Sequence, residues 1–367
     1  MESEKIDLTA YDEFAKLVFN HESATNRIPL SGSIDITSRC NLKCAHCYVP
    51  RAPFVGEMTY EEICCIFDQI ADAGCFWLLV TGGEPLMRPD FADIYYYAKR
   101  KGFLITLFTN GTLFTPQLAD MLKDEPPFKI EVSLYGMTAA TYEKITGVAG
   151  SFQRCINGIN LLTERRLPLK LKTIAMTLNK HEIYGMKKYA DNLGVEFRFD
   201  PIIFPSLDGS AKPLNVRLSP GEILELDMAD EDRCDSLCEI CNNLWGAVGD
   251  NRLYSCGAGI NMFHITANGD LTECTLGHRT NYNLIGGNFR EGFYEVIPKQ
   301  VLSQKRTRYS ECQSCSMMNL CGNCCAKAEL ECGDPEAKVD FLCRVAHLRA
   351  AAFKEGWQEK ASAKIVD

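Results

Sequence analysis

From Ser33 to about Phe204, strand-like and helix-like runs alternate, and a chain written that way folds as a parallel α/β sheet with crossover helices. Apolar runs predict strands at 33–38, 76–81, 103–109, 128–134, 169–177 and 195–203. The stretches between them predict helices near 58–73, 90–101, 116–124, 138–145 with 151–165, and 180–193. Thr59 before Glu61-Glu62 and Pro89-Asp90 before an apolar pattern read as helix starts. Six βα units in a row predict a partial, open barrel, with functional loops at the C-terminal ends of its strands.

Two such strand ends carry unusual residues. Directly after Ser33-Ile34-Asp35-Ile36-Thr37 comes Cys40-Asn41-Leu42-Lys43-Cys44-Ala45-His46-Cys47, three cysteines spaced C-x3-C-x2-C. Three thiolates on one short loop can hold three corners of a cubane iron–sulfur cluster, which normally takes four. The fourth iron then needs a distant cysteine or stays open to a bound molecule. A zinc loop or packed thiols is the plainer alternative, but zinc sites usually come as paired C-x2-C units. The second strand end reads Thr81-Gly82-Gly83-Glu84-Pro85 after Cys75-Phe76-Trp77-Leu78-Leu79-Val80. Glycines there let a ligand approach the backbone, and Glu84 offers an acceptor for an ammonium group.

Together, Cys40, Cys44, Cys47 and Gly82-Gly83-Glu84-Pro85 resemble the radical S-adenosylmethionine (radical SAM) enzymes. That resemblance implies a (β/α)6 core, a [4Fe–4S] cluster on the three cysteines, and SAM chelated at its open iron. It also implies that Gly82-Gly83-Glu84-Pro85 holds the SAM amine. His46 stands where the family usually has an aromatic residue before the third cysteine. Thr109-Asn110-Gly111 and Ser133-Leu134-Tyr135-Gly136 end the third and fourth strands. Ser133 is the expected contact for the SAM ribose or carboxylate, and Lys144 a further one for the carboxylate; Asn110-Gly111 also reads as a plain turn, and Lys144 as a solvated helix position.

The chain has 367 residues, enough for two or three packed units, with 46% hydrophobic and 24% charged residues. Lys and Arg number 39 against 48 Asp and Glu, so the net charge of −9 argues against a nucleic-acid partner. Met1-Glu2-Ser3-Glu4-Lys5 is unlike a signal peptide, and no apolar run reaches bilayer length. The expectation is a cytoplasmic protein with no membrane association. In a reducing compartment, nineteen cysteines read as ligands rather than disulfides. Cys64, Cys65, Cys75 and Cys155 fall in helix or strand patterns and read as small buried hydrophobes.

The expected division is an extension at 1–32 with a short helix over 11–20, the partial barrel at 33–204, a connector at 205–255 and a cysteine-rich part at 256–367. Ser219 with Glu222 three residues later marks a capped helix in the connector. Cys234-x3-Cys238-x2-Cys241 follows, without a glycine-rich strand end, and reads as a supply of further ligands or as buried thiols. Phe263-His264-Ile265, Asn268-Gly269-Asp270 and Leu271 then read as a β-hairpin able to bring Cys256 and Cys274 to one side. Cys312-x2-Cys315-x5-Cys321-x3-Cys325 and Cys343 complete the set.

That pattern resembles the SPASM domain, an extension of peptide- and protein-modifying radical SAM enzymes with two auxiliary [4Fe–4S] clusters. A pair of zinc ribbons is the alternative. The resemblance implies an outer cluster on Cys312, Cys315, Cys321 and Cys343 and an inner one on Cys256, Cys274 and Cys325. The fourth inner ligand is left between Cys234, Cys238, Cys241 and an open iron able to take a substrate sulfur; Cys324 and Cys332 read as spare. The implied function is a maturase that cleaves SAM to a 5′-deoxyadenosyl radical and crosslinks a ribosomally made peptide through a thioether or carbon–carbon bond. Sulfatase-maturing relatives place an aspartate where this chain has Thr275, which disfavours that reaction. Residues 1–32 are too short for a peptide-recognition domain, so a separate leader-binding protein is expected, with a flavodoxin- or ferredoxin-type electron donor. The alternatives are a SPASM enzyme acting on a small molecule or sugar, and an iron–sulfur electron carrier, which would not need Gly82-Gly83-Glu84-Pro85.

Overall fold

The computed structural model describes residues 26–50, 56–242, 251–254 and 256–363, with side chains described as far as residue 353. The helix expected over 11–20 lies outside the described residues. Six strands alternate with helices: β1 (Ser31–Thr37), α1 (Tyr60–Asp72), β2 (Trp77–Gly82), α2 (Phe91–Arg100), β3 (Leu104–Thr109), α3 (Pro116–Asp124) and β4 (Lys129–Ser133). The paired helices α4 (Ala139–Thr146) and α5 (Ser151–Glu164) follow, then β5 (Leu169–Ile174), α6 (Ile183–Leu193) and β6 (Glu196–Asp200). Neighbouring strands from β1 to β6 all pair in parallel. Local chemistry sets several boundaries. Thr59 and Glu62 form a capping box on α1, and Thr115 and Thr138 accept the first free N–H groups of α3 and α4.

The connector is more helical than the sequence pattern shows. It forms α7 (Pro220–Met228), with the expected Ser219–Glu222 capping box, and α8 (Glu231–Asn242). The hairpin also does more than expected. Its strands β7 (Met262–Ile265) and β8 (Leu271–Thr272) pair antiparallel, and β7 docks in parallel on the free edge of β1, giving one eight-stranded sheet ordered β6-β5-β4-β3-β2-β1-β7-β8. Gly32 permits this docking, since a Cβ there would lie 2.3 Å from the Phe263 ring. Phe263 meets Phe289 edge-on and Phe289 stacks on Phe293, so the edge strand is held by aromatic packing as well as by its ladder. After two short π-type stretches and a helical turn at Met318–Cys321 come α9 (Cys325–Cys332) and the long α10 (Asp340–Ala363), on which α7, α8 and that turn pack.

Cys64, Cys75 and Cys155 are buried, as small hydrophobes should be. Cys65 is exposed, a correction: it lies on the outward side of α1, whose buried positions are Ile63, Cys64, Ile66, Phe67 and Ile70. Among the described residues no helix is long and apolar enough to cross a membrane.

Candidate active site and cysteine centres

The Cys40–Cys47 loop leaves the C-terminal end of β1 and is fastened from several directions. Lys43 N–H donates to the Thr146 carbonyl at 2.7 Å and Ala45 N–H to Ile145 at 2.9 Å. These carbonyls end α4 and have no partner within the helix, so the loop satisfies them. Asn110 Nδ2 donates to Asn41 Oδ1 at 2.8 Å and approaches Cys40 Sγ at 4.0 Å. Asn110 is therefore part of the loop's anchorage and not only a turn residue. The Cys40, Cys44 and Cys47 thiols all lie close enough to Tyr135 to raise its phenol electrostatically, on top of the larger effect of burial. The loop thus keeps all three thiols in the neighbourhood of one phenol. Burial also pushes the Cys40 thiol up; a bound metal would draw it to thiolate, the ligand form of cysteine.

His46 packs edge-on against Tyr135, with centroids 4.7 Å apart. Burial lowers its imidazole to about 4, and Nδ1 is buried without a hydrogen-bond partner. A neutral ring with an unsatisfied nitrogen beside three thiols fits a site built to receive another polar group.

The second strand end lies against the first. Gly83 N–H donates to Thr37 O and Glu84 N–H to Arg39 O, both at 2.8 Å. A Cβ on Gly82 would sit 2.2 Å from Thr37 O, and one on Gly83 2.2 Å from Arg39 O, so only glycine allows this contact. Glu84 is held by groups of the strand ends around it. Its side chain is fully buried, Oε1 accepts from Thr109 Oγ1 at 2.7 Å and Leu86 N at 3.2 Å, and Oε2 accepts from Asn110 N at 2.6 Å. The carboxyl clamps β2 to β3, and burial raises it to about 7. Pro85 opens the 3-10 turn that follows.

Ser133 is half-buried at the end of β4, beside Lys172 of β5 in the ladder. Lys144 is exposed in the last turn of α4. Several residues that the sequence reading passed over join them. Glu57 Oε1 accepts from Thr37 Oγ1 at 2.7 Å and from Ser38 N at 2.8 Å, fixing the base of the cysteine loop. Ser33 Oγ and His264 Nδ1 lie 2.9 Å apart, and His264 Nε2 is 3.6 Å from Asp35 Oδ2, so β1 and β7 share a Ser–His–Asp chain. Glu131 Oε2 takes Arg198 at 2.7 Å and Lys172 at 3.4 Å. Burial holds the Lys172 ammonium well below its ordinary range, opposed by Glu131. The i, i+2 alternation of polar residues in β4 and β5 was a usable signal for this layer.

The C-terminal cysteines fall into two groups. Cys312, Cys315, Cys321 and Cys343 line one small cavity, and burial together with their mutual proximity raises Cys321 and Cys343. Cys256 and Cys325 line a second cavity of about 260 Å³, which Cys312 also borders. Cys274 Sγ accepts the Gly277 N–H at 3.1 Å. Thiol-only donor sets of this kind suit iron–sulfur clusters. Among the described residues, no group of three or more His, Cys, Asp or Glu side chains is set to hold a single metal ion.

Residues 34–190 match the radical SAM superfamily model. An AdoMet-dependent heme synthase of Methanosarcina barkeri is 35% identical over 162 residues, 44% of this chain and 46% of that protein. The chain spans less than half the length of the first curated relatives it matches, at 46%, 44% and 40%. The subtilosin biosynthesis protein AlbA of Bacillus subtilis is 26% identical, over 82% of this chain and 68% of its own. The structure of Streptococcus suis SuiB bound to precursor peptide SuiA aligns with a TM-score of 0.71 at 18% identity, over 92% of this chain and 80% of that one, which shows a shared fold. The three-cysteine loop and the glycine strand end both lie inside the region that matches the radical SAM superfamily model, so residues 34–190 form a radical SAM domain, and AlbA and SuiB are similar to this chain over most of its length.

Proposed function

We propose that this protein is a radical SAM/SPASM maturase that modifies a peptide, forming a thioether or carbon–carbon crosslink. The carrying observation is the Cys40–Cys47 loop, fastened to the end of α4 and to Asn110 and lying against the Gly82-Gly83 strand end. Cys40, Cys44 and Cys47 would hold a [4Fe–4S] cluster; with SAM bound there, it supplies reductive cleavage to a 5′-deoxyadenosyl radical that takes a hydrogen atom from substrate. The rest falls to the chain's own side chains. Main chain at Gly82 and Gly83 would face the SAM amine, with the Glu84 carboxyl shaping that strand end from behind. His46 and Ser133 would supply further polar contacts, and Lys144, exposed on α4, a weaker one. The Glu131–Lys172–Arg198 layer and the Ser33–His264–Asp35 chain would face the substrate. The two C-terminal cysteine groups would hold two auxiliary clusters, three in all. A flavodoxin- or ferredoxin-type protein would deliver the electron.

AlbA's likeness over most of the chain supports a peptide substrate. The heme synthase likeness covers 44% of the chain and favours a second reading, a small-molecule substrate. Anaerobic incubation with dithionite, SAM and short deuterated peptides encoded beside the gene tests the choice. Deuterium in 5′-deoxyadenosine and a peptide lighter by about 2 Da, two hydrogens, support the peptide reading. Turnover of a tetrapyrrole with no peptide change would replace it.

A further inference from the structure

We propose that Cys324 is the fourth ligand of the inner auxiliary site, completing a Cys256, Cys274, Cys324 and Cys325 set. This rests on the reading that the C-terminal cysteines hold iron–sulfur clusters.

The alternative ligands are spent elsewhere. Cys234 Sγ donates to the carbonyls of Asp227 and Met228, both at 3.4 Å, at the end of α7. Cys238 and Cys241 pack with Leu320, Cys321 and Ala346, on the side of the outer group. The expectation that one of them reaches the inner site is not what the packing favours. Gly257 to Met262 supplies no thiol either.

Cys324, which reads as spare in the sequence, stands in the right place. It lines the 260 Å³ cavity together with Cys256 and Cys325. Its thiol is a charge neighbour of Cys256, of Cys274 and of Cys325 alike. Consecutive cysteines in a strand point to opposite faces, but these two straddle a helix start. Cys324 is the extended N-cap (φ −145°, ψ 166°) and Cys325 the first residue of α9, so the backbone bend lets both side chains turn toward one cavity. The Cys324 side chain makes no capping hydrogen bond, unlike the Ser, Thr and Asn caps elsewhere in the fold. The eight-residue helix behind it begins at that position with its free N–H groups.

Four thiolates occupy all four irons of a cubane. The inner site is then closed to an exogenous thiolate, so a peptide cysteine would react beside this cluster and not while bound to it. This reverses the open-iron expectation and narrows what the inner cluster can do to handling electrons.

The test uses the full-length chain with Cys40, Cys44 and Cys47 changed to Ala, reconstituted anaerobically so that only the auxiliary sites load. About eight irons per chain are expected, four per cubane. The dithionite-reduced electron paramagnetic resonance spectrum should not change on adding millimolar 2-mercaptoethanol. With Cys324→Ser added, the inner-cluster signal should either become thiol-sensitive or disappear with a loss of about four irons. The parent's thiol insensitivity is informative even if that variant folds poorly. A thiol-shifted parent spectrum overturns the proposal. So does a Cys324→Ser spectrum identical to the parent's, or loss of the inner cluster from Cys238→Ala alone. Zinc in place of iron overturns the cluster reading itself, which separates the two failures.

Discussion

Replacing Glu84 by Gln distinguishes a carboxyl that clamps two strands from one that merely waits for the SAM amine. In the structure each carboxyl oxygen accepts a main-chain N–H, from Leu86 and from Asn110, and Oε1 also takes the Thr109 hydroxyl. A glutamine has one acceptor oxygen, so its NH2 must face one of those N–H groups. The variant loses one hydrogen bond and strands a buried donor, a cost of roughly 1–3 kcal/mol. The pH dependence adds a second signature. The folded carboxyl titrates at about 7 against an ordinary 4.5, because burial disfavours its charge. Between those values the folded state keeps a proton that the unfolded state has lost. Its contribution is therefore full below about pH 4.5 and fades as pH rises through 7, by up to about 3 kcal/mol for that shift. Urea unfolding of wild type and Glu84→Gln, side by side from pH 5 to 8, should show the variant weaker at pH 5 and the gap narrowing toward pH 8. Equal stability at pH 5, with SAM affinity alone reduced, would refute the clamp and restore the carboxylate as the direct amine partner.

Three other outcomes follow from the geometry. Wild-type protein reconstituted anaerobically should carry about twelve irons, four per cubane, and about eight after Cys40, Cys44 and Cys47 become Ala; an unchanged count in the variant would remove the first cluster from that loop. Gly83→Ala drives a Cβ to within 2.2 Å of the Arg39 carbonyl, so SAM binding by isothermal calorimetry should fall at least tenfold, about 1.4 kcal/mol, while the outer cysteine group keeps its iron. Lys144→Ala, at an exposed position, should change SAM affinity less than twofold; a tenfold loss would show that the lysine reaches the ligand.

The strand and helix order was legible because each βα unit is written locally, in apolar runs, in the Thr59–Glu62 box and in Pro116 at the start of α3. The cysteine loop and the Gly82-Gly83 end were legible for the same reason. What stayed hidden depends on contacts far apart in sequence. The hairpin at 262–272 reads as a local pair, yet β7 finds its partner in β1, with Ser31 opposite Met262. The direction of the Glu84 side chain is decided by donors at Thr109 and Asn110. Cys324 looked superfluous because spacing alone cannot show which way an N-cap side chain turns.

The central claim is that the Cys40–Cys47 loop, with the strand ends beside it, is a working SAM-cleaving site. Its most direct test is 5′-deoxyadenosine formation, followed by liquid chromatography after anaerobic incubation of iron-loaded protein with dithionite and SAM. The account predicts that wild-type protein forms 5′-deoxyadenosine and methionine in equal amounts, and that the Cys40, Cys44 and Cys47 to Ala variant forms neither while retaining its auxiliary iron. Iron-loaded wild-type protein that leaves SAM intact, or a triple variant that still cleaves it, would contradict the account.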